Sequence, residues 1–265
     1  MKELNINIEV DFALKQEQVE SFQKVMYDKG LSVGISSITG TGFVHQYREP
    51  IMDAQVKPTY KWFPHMGPFP DLNKNINAEE FMDSDLTHML FIDHDTVPKD
   101  RLCIAKMLLA DKPVVTGIQA FKTFPSIWSV GLLKKGAEDA ETSFEVKWLT
   151  TKDTSEDHVY DPWKFKDTFR NKLQRIIVCG NGMLMVKREV FEKIEWPWFG
   201  TEYLGNKDEW KFQGEDFWFS ARCYQAKIPV YAHWGVKTEH MDGRHAYPLR
   251  FEKDEEGFVK GLKGI

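Results

Sequence analysis

The sequence predicts an α/β fold in which a mostly parallel central sheet is flanked by helices and interrupted by long loops. Three observations carry this. Short apolar runs occur without polar alternation, as in Met89-Leu90-Phe91-Ile92, Pro113-Val114-Val115-Thr116-Gly117 and Met183-Leu184-Met185-Val186; helical periodicity separates them; and the intervening loops are dense in proline and aromatic residues. A strand with one wet face alternates polar and apolar residues, whereas a strand buried on both faces reads as a continuous apolar run. Such strands, separated by helices, build a parallel sheet covered on both sides.

In chain order, Ile6, Ile8 and Val10 alternate with Asn7, Glu9 and Asp11, which predicts a first strand. Val19, Phe22, Val25 and Met26 recur at helical spacing and predict a helix over residues 14–29, with Gly30 as the stopping residue. Residues 31–38 read as a second strand, Gly40-Thr41-Gly42 as a turn, and residues 45–56 as a partial helix interrupted at Pro50. Residues 57–80 place Pro58, Pro64, Pro68 and Pro70 among Tyr60, Trp62, Phe63 and Phe69, and read as an irregular aromatic loop. Residues 87–92 form an apolar strand ending in Asp93-His94-Asp95, and Pro98 is placed to open a helix running through Leu109. Residues 113–117 are another buried strand.

From 131 to 175 the pattern weakens and charge separates. Residues 138–161 hold eight acids and two bases, and residues 162–175 five bases and one acid, which reads as a solvated hairpin or lid surface. Residues 176–178 and 183–186 are strands, 188–194 a helix, a further helix begins near Glu215, and 228–232 are strand-like. The residues after 250 read as a peripheral tail.

Composition narrows the function classes. With 265 residues, 42% hydrophobic and 28% charged, the chain is neither fibrous nor disordered throughout. The 35 Lys and Arg against 40 Asp and Glu give a net charge of −5, which disfavours a global attraction to polyanions. The apolar runs fall far short of a membrane-spanning helix, and Met1-Lys2-Glu3-Leu4-Asn5 lacks a signal-peptide core, so the expectation is a cytoplasmic protein. Cys103, Cys179 and Cys223, far apart and without metal spacing, are expected to be buried reduced thiols.

Three constellations bear chemistry. The apolar strand before Asp93-His94-Asp95 delivers two carboxylates at its C-terminal end, where ligands bind in open parallel sheets. If the strand continues, both acids point the same way and offer a hard cation the oxygen ligands it requires. Gln213-Gly214-Glu215-Asp216-Phe217-Trp218-Phe219 sets two acids among aromatics at a helix start, where the dipole stabilises carboxylates or a partly apolar pocket tunes a general base. His240 follows the last strand and becomes a ligand candidate through its company.

In this order the three pieces resemble the GT-A nucleotide-sugar glycosyltransferases, particularly the inverting family-2-like enzymes and their small bacterial and viral relatives. Residues 39–48, ending at Arg48, look like that family's turn and helix start before the DxD strand; 112–118 resemble the strand after the DxD helix; and 179–191, 196–199 and 214–219 are similar to its acceptor-side strand, aromatic loop and ED motif. The resemblance spans about residues 6–241. It implies a single GT-A domain over residues 1–250, with a nucleotide-sugar half to about 118 and an acceptor half beyond, followed by a tail over 251–265. It implies Mn²⁺ or Mg²⁺ held by Asp95 and His240, with Asp93 on the ribose or a metal-bound water. His94, Arg48 and Lys122 would lie on the donor side. Asp216 would deprotonate the acceptor hydroxyl beside Glu215; Gly180, Asn181 and Gly182 would approach the transferred sugar; Trp196 and Trp198 would form an acceptor platform. The partners implied are a UDP- or GDP-linked sugar donor and, as acceptor, a glycan, a lipid-linked sugar, a protein or a modified nucleic-acid base. Val10-Asp11-Phe12 stands where the family commonly carries a Pro-x-Tyr-Asn type of sequence, so the donor nucleotide stays open.

Two rivals use the same residues. In a haloacid-dehalogenase-type phosphatase, Asp93 would be the nucleophile, Asp95 the acid/base, and Val115-Thr116 the second motif. A non-catalytic sugar- or nucleic-acid-binding module would use the aromatics of residues 57–80 as stacking surfaces.

Overall fold

The computed structural model describes residues 16–37, 60–63, 69–98, 103–119, 127–133, 146–150, 173–206, 209–241 and 246–247. The expected strand at 6–10, the turn at 40–42, the segment 45–56 with Arg48, Lys122 and the tail after 250 lie outside the described residues.

Helix α1 (Gln16–Asp28) ends as its sequence predicts: Gly30 takes φ +62°, its N–H bonds to Tyr27 O, and the Leu31 N–H reaches back to Met26 O. Only a residue at ease with positive φ closes a helix this way. Strands β1 (Val33–Ser37), β2 (Tyr60–Phe63) and β3 (His88–Ile92) run parallel, with β1 between the other two. Between β2 and β3 stands α2 (Pro70–Met82). The reading of 57–80 as one irregular loop is therefore corrected. Pro70 serves as a helix starter with Asp71 in the first turn, and Ala78 and Phe81 supply the buried apolar stripe.

A second correction concerns Pro98. Strand β4 (Thr96–Pro98) carries it, paired antiparallel with the long strand β13 (Val230–Met241), and α3 spans Cys103–Leu109. Strand β5 (Val114–Ile118) runs parallel to β13, while β10 (Met183–Lys187) lies antiparallel between β3 and β5. The main sheet orders as β14-β13-β5-β10-β3-β1-β2, with β14 at Ala246–Tyr247 and with β4 and β8 (Leu173–Ile176) added on β13. The weakly patterned stretch after 131 contributes β6 (Ile127–Leu133) and β7 (Val146–Thr150), which form a small sheet with β9 (Val178–Cys179). Helix α4 (Arg188–Lys193), the hairpin β11 (Glu202–Asn206) and β12 (Glu209–Gln213), and α5 (Glu215–Gln225) complete the described chain.

The unalternating runs have a direct cause. Along β3, Met89 and Phe91 join an aromatic core with Phe81, Phe191, Phe199 and Phe219, while Leu90 and Ile92 join a second core with Met26, Ile104 and Leu108 on the opposite face. In β10, Leu184 and Val186 go to the first core and Met183 and Met185 to the second. Both faces are covered, so these consecutive positions are apolar. Cys103, Cys179 and Cys223 are free and buried, as expected. Among the described residues, no helix is long and apolar enough to cross a membrane.

Candidate active site

The site forms where β3 ends. Strand geometry stops at Ile92, and the Asp93 N–H still bonds to Gly182 O at 3.1 Å, which extends the ladder to β10 by one rung. The chain then turns, with the Thr96 N–H on Asp93 O, and re-enters β4. The strand does not continue through the two acids, which is the condition for both to point one way, and they meet different partners. Asp93 Oδ1 lies 3.3 Å from Lys74 Nζ, whereas Asp95 Oδ2 lies 3.2 Å from His240 Nε2. The β4–β13 register sets Thr96 opposite His240 and so brings Asp95 beside that imidazole. His94 is exposed between them.

Lys74, on α2, escapes a sequence reading. Its side chain is only 2% exposed, and the ammonium bonds Glu215 Oε1 at 3.0 Å and pairs with Asp93. Burial lowers its affinity for a proton, but Asp93, Glu215 and Asp216 together outweigh burial and hold it charged, above the ordinary lysine range. The same pairing separates the two acids that open α5. Burial opposes ionisation of Glu215, yet Lys74 prevails and keeps it below the usual carboxylate range. Burial pushes the Asp216 carboxyl up to about 8, and the ionised Glu215 beside it adds to the shift. Burial likewise raises Asp93 despite Lys74.

Asp216 is aimed by a backbone donor, since the Asn181 N–H bonds its Oδ1 at 3.2 Å. Asn181 is 1% exposed, and both polar atoms of its carboxamide lack partners among the described residues. A buried carboxamide left unsatisfied costs on the order of 1–3 kcal/mol, so it points to a missing polar group. Its neighbours explain the Gly-Asn-Gly sequence. The Gly180 N–H bonds Ser129 O, and a Cβ on Gly182 would fall 1.7 Å from Gln119 Oε1 and 2.9 Å from Thr96 Oγ1. Gln119, also absent from the sequence reading, donates from Nε2 to Thr96 Oγ1 at 2.8 Å and so braces the residue after Asp95.

The aromatic loop divides. Trp196 is 63% exposed and stays available to a ligand. Trp198 is buried, donates to Phe191 O at 3.1 Å and packs edge-on to the Phe191 ring, so it is a core residue and not part of a platform. Asn75 pins the loop to α2, with Nδ2 on Phe199 O at 2.7 Å and Oδ1 accepting the Phe199 N–H at 3.1 Å.

Asp95 and His240 together offer a carboxylate oxygen and an imidazole nitrogen. No group of three or more His, Cys, Asp or Glu among the described residues is arranged to hold a metal ion. A two-ligand protein set suits a hard or borderline cation that takes its remaining ligands from water and phosphate oxygens.

Neither protein-family models nor curated proteins match the chain. Among solved structures it is similar to A197 from STIV, with 21% identity and a TM-score of 0.49 over 82% of this chain and 90% of that one. It is also similar to the nucleoside-diphosphate-sugar pyrophosphorylase from Vibrio cholerae RC9, with 9% identity and a TM-score of 0.36 over 84% and 80%. Likenesses of this grade assign no function.

Proposed function

We propose that this chain is a metal-dependent glycosyltransferase that moves a sugar from a UDP- or GDP-linked donor to an acceptor hydroxyl with inversion. The observation that supports it most is the pairing, at one end of one sheet, of an Asp95–His240 couple with a separate carboxyl, Asp216, whose affinity for protons is raised. A general base works best with a pKa near the working pH.

Asp95 and His240 would hold Mn²⁺ or Mg²⁺, which supplies electrostatic stabilisation to a departing diphosphate. The protein's own residues do the rest. Asp216, oriented by the Asn181 N–H, takes the proton of the acceptor hydroxyl as that oxygen attacks. The Asn181 carboxamide has a donor and an acceptor to offer a sugar hydroxyl, which would satisfy its unpartnered atoms. Glu215 stays ionised and bound to Lys74, so it serves as an anchor and hydroxyl acceptor and leaves proton transfer to its neighbour. Trp196 offers a flat face to the acceptor, a glycan, a lipid-linked sugar, a protein or a modified nucleic-acid base.

Asp216→Asn tests the assignment. Donor affinity, measured by calorimetry with Mn²⁺, should stay within about threefold while transfer falls by about 100-fold or more. Loss of donor binding in that variant would make Asp216 a ligand and contradict its role as base.

A further inference from the structure

Lys74 stands on the first half of α2, and its ammonium crosses to two other elements at once: Asp93 at the end of β3 and Glu215 at the first position of α5. It lies 141 residues from Glu215 in sequence, so the contact joins distant parts of the chain. Pinning the Glu215 carboxylate pins the first turn of α5. The next residue in that turn is Asp216, which in turn rests on the Asn181 backbone amide just before β10. Without Lys74, Asp93 and Glu215 would lose the one side chain that bridges them, and nothing among these contacts would hold the Glu215 carboxyl in place. An outward shift of Glu215 carries Asp216 with it.

We propose that Lys74 is a positioning residue for proton abstraction: by joining the donor-side Asp93 to the acceptor-side Glu215, it holds Asp216 on the Asn181 amide. The inference rests on the reading of Asp216 as general base, and two measurements on the full chain keep the two separable.

The first needs no substrate. Hydrogen exchange at the Asn181 amide reports its bond to Asp216, and in Lys74→Met its protection should fall by about tenfold or more while the amides of Leu90 and Val186 keep theirs. Unchanged protection at Asn181 overturns the inference. Lys74→Gln, which keeps hydrogen-bond donors without the charge, replaces Lys74→Met if the latter does not fold. The second is steady-state transfer. Lys74→Met should lower kcat about 100-fold with donor KM within about threefold, and Lys74→Arg, which keeps the cation, should recover about tenfold or more. A loss carried by donor KM, or a folded Lys74→Arg as inactive as Lys74→Met, overturns the positioning role. If the unmodified protein transfers no sugar while Asn181 loses protection as expected, the Lys74 link stands and the glycosyltransferase reading falls.

Discussion

Glu215 and Asp216 are adjacent carboxylates with opposite behaviour: burial and the neighbouring Glu215 charge raise Asp216 against a weaker pull from Lys74, whereas Glu215 is hydrogen-bonded to Lys74 and is held ionised. This has a consequence for stability in the absence of ligands. With the folded-state pKa of Asp216 near 8, the native protein keeps a proton that the unfolded chain has already lost. The contribution of Asp216 is therefore fully present below the ordinary aspartate range and is lost as pH rises towards 8. Asparagine cannot ionise, so Asp216→Asn should match the parent protein in urea unfolding at pH 4 and exceed it at pH 8. Asp216 keeps some contact with solvent, which discounts the difference to about 2 kcal/mol. Equal stability at pH 8 would contradict the raised pKa. Gly182→Ala should cost about 2–3 kcal/mol in the same assay, since the added Cβ collides with the buried Gln119 side chain and breaks its bond to Thr96. The acids stand out in the sequence because they sit in short local motifs, whereas His240 is a candidate only through their company. Lys74 does not stand out, since a lone lysine in a polar stretch carries no sign that a fold will bury it between two distant carboxylates.

At the level of elements, α2 organises the site. Lys74 faces the carboxylates, Asn75 grips the aromatic loop, and Asn77 donates to Ser36 Oγ of β1 at 2.7 Å. These buried polar residues blur the helix's amphipathic pattern, and with Pro64, Pro68 and Pro70 close by, local signals outweighed the start signature at Pro70. Pro98 misled in the opposite way: a proline suits both a helix start and an edge position, and pairing with β13 decided between them. The C-terminal end of α2 is held by Arg188, whose guanidinium donates to the carbonyls of Phe81, Met82, Ser84 and Leu86. Cations favour helix C-termini, and only a planar fork serves several carbonyls together. Arg188→Ala should therefore cost about 2–4 kcal/mol in chemical denaturation. Arg188→Lys should recover less than half of that; full recovery would show that charge alone matters there.

For the whole molecule, the sequence specified the layered α/β architecture well because burial on both faces imposes an unmistakable apolar run. It did not specify that β10 enters antiparallel, since an apolar run looks the same in either direction. Nor did it reveal the register that sets His240 beside Asp95, a product of long-range pairing. The charge balance also changes meaning. Counted formally, as the net −5 is, the four acids at one end of the sheet and Lys74 among them carry −3, leaving −2 for the remainder, and Asp216, which keeps its proton near neutrality, takes one negative charge off that pocket. Under the proposed function, this pocket would take a divalent cation and, through it, a diphosphate. The most direct measurement is release of nucleoside diphosphate from a panel of UDP- and GDP-sugars in the presence of Mn²⁺. A metal-dependent glycosyltransferase should hydrolyse at least one donor slowly, with the activity lost on chelation and in Asp95→Ala. Hydrolysis of phosphomonoesters with no response to any nucleotide sugar would contradict that assignment.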